Sequence, residues 1–115
     1  MIEMLDVKLL SSRARLFKAL SDRTRLEIID YLKGGERYVC EIIPALGKAQ
    51  STTSVSLDQL YRAGILKRRQ EGKKTLYSIR SSEIFKLLGE ADRLNLMHLA
   101  DVSDEVAALK RSLAK

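Results

Sequence analysis

The chain has 115 residues, 45% hydrophobic and 31% charged, with one cysteine and a formal net charge of +6 at pH 7. This length supports a single domain, residues 1–115, whose small core favours association with a second copy, and the basic balance favours a polyanionic partner. One cysteine excludes an intrachain disulfide, and no apolar run approaches the roughly 18 residues of a membrane span. We therefore expect a soluble, cytoplasmic protein with no membrane partner.

Helical periodicity dominates the first third of the chain. Apolar residues predict a first helix at about 7–20. Ser21 then offers an oxygen to cap a second helix at about 22–33, which the glycine pair at 34–35 ends.

A third helical element is predicted at 39–46, but it contains the only proline, Pro44. A proline ring clashes with the carbonyl four residues earlier in a helix, so we expect one tight or distorted turn. Gly47 follows as the turn residue. A fourth helix is predicted at 50–62, with its apolar face inward at Thr53, Leu57 and Leu60 and a polar face at Ser51, Ser54, Val55 and Asp58.

Two strands, 65–70 and 75–79, are predicted around a turn with Gly72 at its tip. Five cations crowd into this hairpin, opposed only by Glu71: Lys67, Arg68, Arg69, Lys73 and Lys74. Strand alternation places Lys67 and Arg69 on one side and Arg68 on the other, so these cations cannot all contact one partner.

A last helix is predicted at 82–113, capped by Ser81 or Ser82. Its apolar stripe follows the 3.6-residue period through Ile84, Leu88, Ala91, His98 or Leu99, Val102, Val106, Leu109 and Leu113. A 115-residue monomer cannot bury so long a stripe. We expect the part up to Leu94 to pack on its own domain, and the rest, together with helix 7–20, to form a dimer interface.

A helix followed by a basic hairpin is the order of elements in a winged helix-turn-helix. We expect a mainly α fold of about five helices plus a two-stranded wing, in which helix 50–62 reads a DNA major groove and the wing, 65–79, lies on the backbone. The expected DNA contacts are Gln50, Ser51, Thr52, Ser54, Val55, Arg68, Arg69, Lys73 and Lys74. The alternatives are an ordinary solvated helix face and a lysine-protected sheet edge. Asp58 either accepts a hydrogen bond from cytosine or points past the duplex.

Short motifs along residues 14–80 resemble the ArsR/SmtB-type winged-helix repressors. The motifs are 20–26 (LSDRTRL), 39–42 (VCEI), 50–52 (QST), 60–66 (LYRAGIL) and 69–73 (RQEGK). The resemblance implies a dimeric repressor that an effector, often a metal or metalloid, releases from its operator. The chain departs from the family pattern at Arg23, which replaces a proline, at Ala49, which replaces a serine cap, and at Val55-Ser56, which replaces an Arg-His pair. Another residue must then serve the start of the fourth helix, and operator preference should differ from that of typical members.

Sensing residues are sparse. Metalloid sensors of this family use two cysteines at the third helix, and only Cys40 is present. The second familiar site, on the last helix, is reduced to His98 with Asp101 and Glu105 on the same face, and we interpret His98 as a packing residue. We expect no metal and no cofactor. Cys40 is either a small buried core residue or a redox switch that moves the third and fourth helices.

Three functional classes compete. The first is a sequence-specific transcriptional regulator, expected to be a repressor, that binds double-stranded DNA as a homodimer on an inverted repeat, with its effector unidentified. The second is a winged-helix protein-interaction module of the transcription machinery, without sequence-specific DNA binding. The third, an enzyme, is excluded by the lack of a glycine-rich phosphate loop and of a catalytic set that one histidine could anchor.

Overall fold

The computed structural model describes residues 3–114. The helices and strands in chain order are α1 (Met4–Leu20), α2 (Arg23–Leu32), β1 (Arg37–Tyr38), α3 (Val39–Leu46), α4 (Gln50–Arg62), β2 (Leu66–Glu71), β3 (Lys74–Ile79) and α5 (Glu83–Leu113). Residues up to Ser81 form one compact unit, here called the body, and α5 forms a second unit. Five helices and a hairpin confirm the predicted mainly α class.

The body is built around one small core. α4 turns Thr53, Leu57 and Leu60 inward, as predicted, and it also buries Ser56. α2, α3 and the sheet contribute the other fully buried side chains, which are Ile28, Ile29, Leu32, Ile42 and Leu66. Because one face of α4 is buried in this way, helical geometry leaves its other face to solvent.

The corner between α1 and α2 corrects the predicted cap. Asp22, not Ser21, is the N-cap of α2, and its carboxylate accepts a hydrogen bond from the Arg25 amide at 3.1 Å. The Ser21 hydroxyl instead donates to the Lys18 carbonyl, closing α1. A carboxylate is the better cap here because it also offsets the positive end of the helix dipole. α1 also begins three residues earlier than predicted, at Met4.

Arg25 ties three helices of the body together. Its guanidinium donates to the carbonyls of Lys18 and Ala19, the last turn of α1, and to Oε1 of Gln59 on α4 at 2.8 Å. A cation at this end of α1 satisfies carbonyls that have no partner within the helix. The same side chain thereby holds α4 in a defined place relative to α1 and α2.

α3 has the predicted bounds and is longer than a single turn. It is an eight-residue helix that contains Pro44, so of the two predicted alternatives, one tight turn or a distorted turn, the first was wrong. Pro44 is the sixth residue of the helix, where its ring removes only one intrahelical hydrogen bond. The carboxylate of Glu41 reaches back to accept from the Tyr38 amide at 3.0 Å, which stabilises the first turn. Gly47 ends α3 at φ 65°, as a left-handed cap.

The sheet has three strands in the order β1-β3-β2, where a two-stranded wing was predicted. The missed strand, β1, has two residues, too few to show alternation. β2 and β3 pair antiparallel from Leu66 opposite Ile79 to Glu71 opposite Lys74, which leaves Gly72 and Lys73 as a two-residue turn. Gly72 has φ 63°, a conformation that L-residues with a side chain rarely adopt.

α5 is a separate helix of 31 residues. Ser82 occupies its N-cap position, but its side chain makes no capping hydrogen bond, which contradicts one of the two predicted caps, Ser81 or Ser82. From Glu90 to the end of the helix nearly every residue is exposed, including the large apolar side chains Leu94, Leu96, Met97, Leu99, Val102, Val106, Leu109 and Leu113. Within residues 3–114, no helix combines the length and the apolar character that crossing a membrane requires.

Thr53 provides a test of the packing of α4. Its Oγ1 is buried without a hydrogen-bond partner, which costs about 1–3 kcal/mol. We expect Thr53→Val, which keeps the shape and removes the hydroxyl, to raise the free energy of unfolding by about 1 kcal/mol in a urea titration. The exposed neighbour provides the control, because Thr52→Val should change stability by less than about 0.5 kcal/mol. A clear loss of stability in Thr53→Val would show that the hydroxyl has a partner.

Candidate nucleic-acid interface

The solvent face of α4 carries the residues predicted to read bases. Gln50, Ser51, Thr52, Ser54 and Val55 are all exposed, and Val55 retains 56% of its accessible surface. They line the first half of α4, whose N-cap residue, Ala49, supplies no side-chain cap. No described side chain takes over this role, so the expectation of a substitute cap was wrong. The amides of the first turn are therefore available to a ligand.

Asp58 and Arg68 connect the second half of α4 to the sheet. The Asp58 carboxylate accepts from Nε of Arg62 at 2.6 Å and from Nη1 of Arg68 at 3.3 Å. Arg68 also lies over the ring of Tyr61, with its Cζ 3.9 Å from the ring centroid, and its Nη1 is 3.4 Å from the Tyr77 hydroxyl. The bond from Arg62, followed by that from Arg68, holds the pKa of Asp58 below its usual range.

Arg69 lies on the other side of β2 and is held there by carboxylates. Its Nη2 and Nε donate to the two oxygens of Glu36 at 2.7 and 2.9 Å, and its Nη1 donates to Glu71 at 3.3 Å. The hydrogen bond from Arg69 holds the pKa of Glu36 below its usual range. Arg68 and Arg69 thus occupy opposite sides, as predicted, but both are engaged within the protein.

Tyr38 extends the carboxylate cluster around Arg69. Its hydroxyl donates to Oε1 of Glu71 at 2.8 Å, and this bond to a carboxylate raises the pKa of the phenol. The Nζ of Lys74 lies 5.2 Å from the centroid of the Tyr38 ring. β1, β2 and β3 are therefore connected by side chains as well as by their backbone ladder.

Three lysines are the cations of the hairpin that remain available to an external anion. Among residues 3–114, Lys67, Lys73 and Lys74 take part in no ion pair. Lys73 and Lys74 lie at the tip of the hairpin and Lys67 lies near its base. All three are exposed.

A cleft of about 510 Å³ separates α3 from the hairpin tip. Gln50, Lys73 and Lys74 line it together with Cys40 and Pro44, so the first residue of α4 and the hairpin lysines share one depression. Cys40 is an exposed free thiol, and the interpretation of Cys40 as a buried core residue was therefore wrong.

The other predicted sensing residues lie apart from this surface in sequence and are exposed on α5. They are His98, Asp101 and Glu105. In the part of the chain that the structure describes, no group of three or more His, Cys, Asp or Glu side chains is placed to hold a metal ion.

Three partners of the hairpin were not predicted: Glu36, Tyr38 and Tyr61. Glu36 and Tyr38 are more than 30 positions from the residues they bind, and no local sequence pattern predicts such long-range pairs. One signal was available: Tyr61 follows Asp58 at helical spacing, so the two residues share a side of α4.

Comparison with known proteins agrees with this geometry. The sequence profile described as "Bacterial regulatory protein, arsR family" matches residues 22–68. The uncharacterized HTH-type transcriptional regulator MJ1325 of Methanocaldococcus jannaschii is 46% identical over 81 residues, which cover 67% of this chain and 91% of that protein. The HTH-type transcriptional regulator Rv0324 of Mycobacterium tuberculosis is 37% identical over 95 residues, 83% of this chain but only 42% of that longer protein.

A solved structure extends the likeness to three dimensions. The NMR structure of the homodimeric winged helix-turn-helix DNA-binding domain Mb0332 from Mycobacterium bovis, described as a possible ArsR-family regulator, has a TM-score of 0.74 and 32% identity. The match covers 86% of this chain and 92% of that one. These relatives are regulators, which favours DNA binding over the protein-interaction alternative and over an enzyme. The chain belongs to the arsR family of bacterial regulatory proteins, which are DNA-binding transcriptional regulators with a winged helix-turn-helix.

Proposed function

We propose that the protein is a homodimeric repressor that binds an inverted repeat in double-stranded DNA, with α4 in the major groove and the β2–β3 hairpin on the adjacent backbone. The observation that carries the proposal is the cleft that is lined both by Gln50 of α4 and by the two lysines of the hairpin tip. Base-reading and phosphate-binding groups thus lie side by side on the same unit. Because its target is chromosomal DNA, we propose the cytoplasm as its place of action.

The chemistry of α4 suits direct base readout. Gln50 can pair with adenine through two hydrogen bonds, and the hydroxyls of Ser51, Thr52 and Ser54 can donate or accept. Val55 offers an apolar surface to a thymine methyl group. The uncapped amides of the first turn of α4 can donate to a backbone phosphate, as helix N-termini do.

The hairpin supplies positive charge for the DNA backbone, and this contact does not distinguish one base sequence from another. Each phosphate neutralised by a lysine releases counterions. The logarithm of the binding constant therefore falls with the logarithm of the salt concentration, with a slope of about −0.9 per contact. With Lys67, Lys73 and Lys74 in each of two subunits, six contacts give a slope of about −5. Arg68 and Arg69 were also predicted as contacts, but their carboxylate partners make them poorer candidates.

Dimerisation through the terminal helices is supported by their exposed apolar side chains. α1 exposes Met4, Leu5, Val7, Leu9, Leu10 and Phe17, and α5 exposes a stripe through Leu99, Val102 and Val106. Monomeric proteins rarely leave so many large apolar side chains of their helices in water. We propose that helices 7–20 and 82–113 pack against a second copy, which places two α4 helices on two half-sites.

Paired substitutions separate phosphate binding from base reading. We expect Lys73→Ala with Lys74→Ala to weaken binding equally on an inverted repeat and on random DNA, and to flatten the salt slope by about 3.6 for four lost contacts per dimer. Gln50→Ala should leave the slope unchanged and narrow the affinity gap between the two DNAs by roughly tenfold, about one base contact. Fluorescence anisotropy at several salt concentrations measures both quantities.

Two outcomes would contradict this division of roles. A wild-type protein whose binding ignores salt would remove the hairpin from the interface. An equal loss on both DNAs in Gln50→Ala would make Gln50 a phosphate contact or a structural residue.

A charge placed in the apolar stripe of α5 tests the dimer. Val106→Glu should produce monomers in sedimentation equilibrium and abolish tight binding to the inverted repeat, because a buried unpaired carboxylate destabilises an interface. Ala108→Glu is the matched control, since Ala108 lies on the other side of α5 and is exposed. A dimer that survives Val106→Glu, with unchanged helix content, would place the interface elsewhere.

The exposure of Cys40 supports a redox response in the repressor. Peroxide converts an accessible thiol to sulfenic acid and water, and a bulkier polar group in the cleft beside Gln50 would disturb the DNA-binding surface. We expect peroxide to lower the operator affinity of the wild type and to leave Cys40→Ser unaffected. An identical response of the two proteins would exclude Cys40 from sensing.

A further inference from the structure

We infer that Arg68 is a positioning residue, which fixes the wing against α4, and that Asp58 restrains it from the DNA phosphates. This inference rests on the proposed function and assigns to Arg68 a role other than the phosphate contact that its place in a basic hairpin predicts. The consequence is that specificity depends on a residue that touches no DNA.

The geometry surrounds Arg68 with partners from two elements. Asp58 and Tyr61 belong to α4, and Tyr77 belongs to β3. The guanidinium is hydrogen-bonded to the carboxylate, stacked on one ring and within reach of the hydroxyl on the other. Only a planar, delocalised cation can stack and donate in this way, and an ammonium cannot replace it.

The position of these residues along α4 explains what they control. Asp58 and Tyr61 lie two to three turns after Gln50, on the half of α4 that follows the base-reading residues. The bond from Arg68 therefore joins the trailing half of α4 to β2, and the hairpin carries Lys73 and Lys74 at its far end. Small changes in the angle between α4 and β2 are amplified at that tip, so the Arg68 contact sets where the lysines meet the backbone when α4 is in the groove.

Asp58 has a second effect on charge. Its carboxylate pairs with both Arg68 and Arg62 and offsets one of their two positive charges, so the three unpaired lysines carry most of the uncompensated charge of the hairpin. Without Asp58, Arg68 would be free to bind any phosphate, and nonspecific affinity would rise.

The test compares Arg68→Gln with Arg68→Lys, using Lys73→Gln as the matched loss of one hairpin charge. Lys73→Gln should flatten the salt slope by about 1.8 per dimer and keep the ratio of specific to random affinity. Arg68→Gln should keep the slope and lower that ratio about tenfold, equivalent to about 1.4 kcal/mol. Arg68→Lys should behave like Arg68→Gln, because its charge is retained but the stacked fork is lost.

Asp58→Asn provides an independent variant. It should steepen the salt slope and raise affinity for random DNA, as a released Arg68 finds phosphates, and this gain should vanish in the double variant with Arg68→Gln. The inference is overturned if Arg68→Gln flattens the slope as much as Lys73→Gln does and Arg68→Lys restores it, which is the behaviour of a phosphate contact.

Hydrogen exchange separates this inference from the proposed function. Without DNA, Arg68→Gln should accelerate amide exchange in β2 and β3 while Lys73→Gln leaves it unchanged, because only the first loosens the hairpin from α4. If the wild type binds no DNA but this exchange difference appears, the proposed function fails and the positioning role stands. Equal exchange in the two variants overturns the positioning role even if DNA binding is normal.

Discussion

The alternation of side chains along β2 is the constraint on which the interface depends. Successive residues of a strand face opposite sides, so Arg68 and Arg69 cannot bind the same partner. Arg68 faces α4 and binds Asp58, whereas Arg69 faces the other side and binds Glu36. Of the three consecutive cations at 67–69, the two arginines therefore make contacts within the protein, and only Lys67 takes part in no ion pair with the residues that the structure describes. The charge available to an external anion is smaller than the composition suggests, and it is concentrated at the tip of the hairpin.

The core explains why α4 can present its polar face at all. Leu57 and Leu60 are buried against α2, α3 and the sheet, and Arg25 holds α4 from the side of α1. Burial of each such side chain stabilises the fold by about 1.5–3 kcal/mol. Since this packing fixes the rotation of α4 about its axis, Gln50 and Val55 are directed outward by the same leucines that hold the body together. The stability of the body and the exposure of the proposed base-reading residues thus depend on the same helical spacing of buried side chains.

Local patterns predicted much of this arrangement. The bounds of α3 and α4, the glycine turn of the hairpin and the inward residues of α4 all follow from periodicity and turn chemistry, which act over a few residues. β1 and the capping role of Asp22 were missed because a two-residue strand has no period, and because Ser21 and Asp22 are both good caps. The pairing of Arg69 with Glu36 could not be predicted, since Glu36 lies 33 positions away and the pattern of charges along the chain does not show which carboxylate the fold brings next to Arg69. Cys40 shows the same limit: free cysteines are usually buried, and the fold exposes this one.

The division between arginine and lysine in the hairpin has a physical basis that fits the proposed function. Arginine is planar and donates in fixed directions, so it suits contacts that must hold a geometry, such as those of Arg68 with Asp58 and Tyr61. Lysine is a mobile point charge that can follow a phosphate over a range of positions. Arginines near the base of the hairpin and lysines at Lys73 and Lys74 therefore combine a rigid attachment with an adaptable tip. A regulator that must sample random DNA before it finds its operator gains from both, because the tip binds any backbone while the attachment keeps α4 and the wing in register for the one sequence they fit.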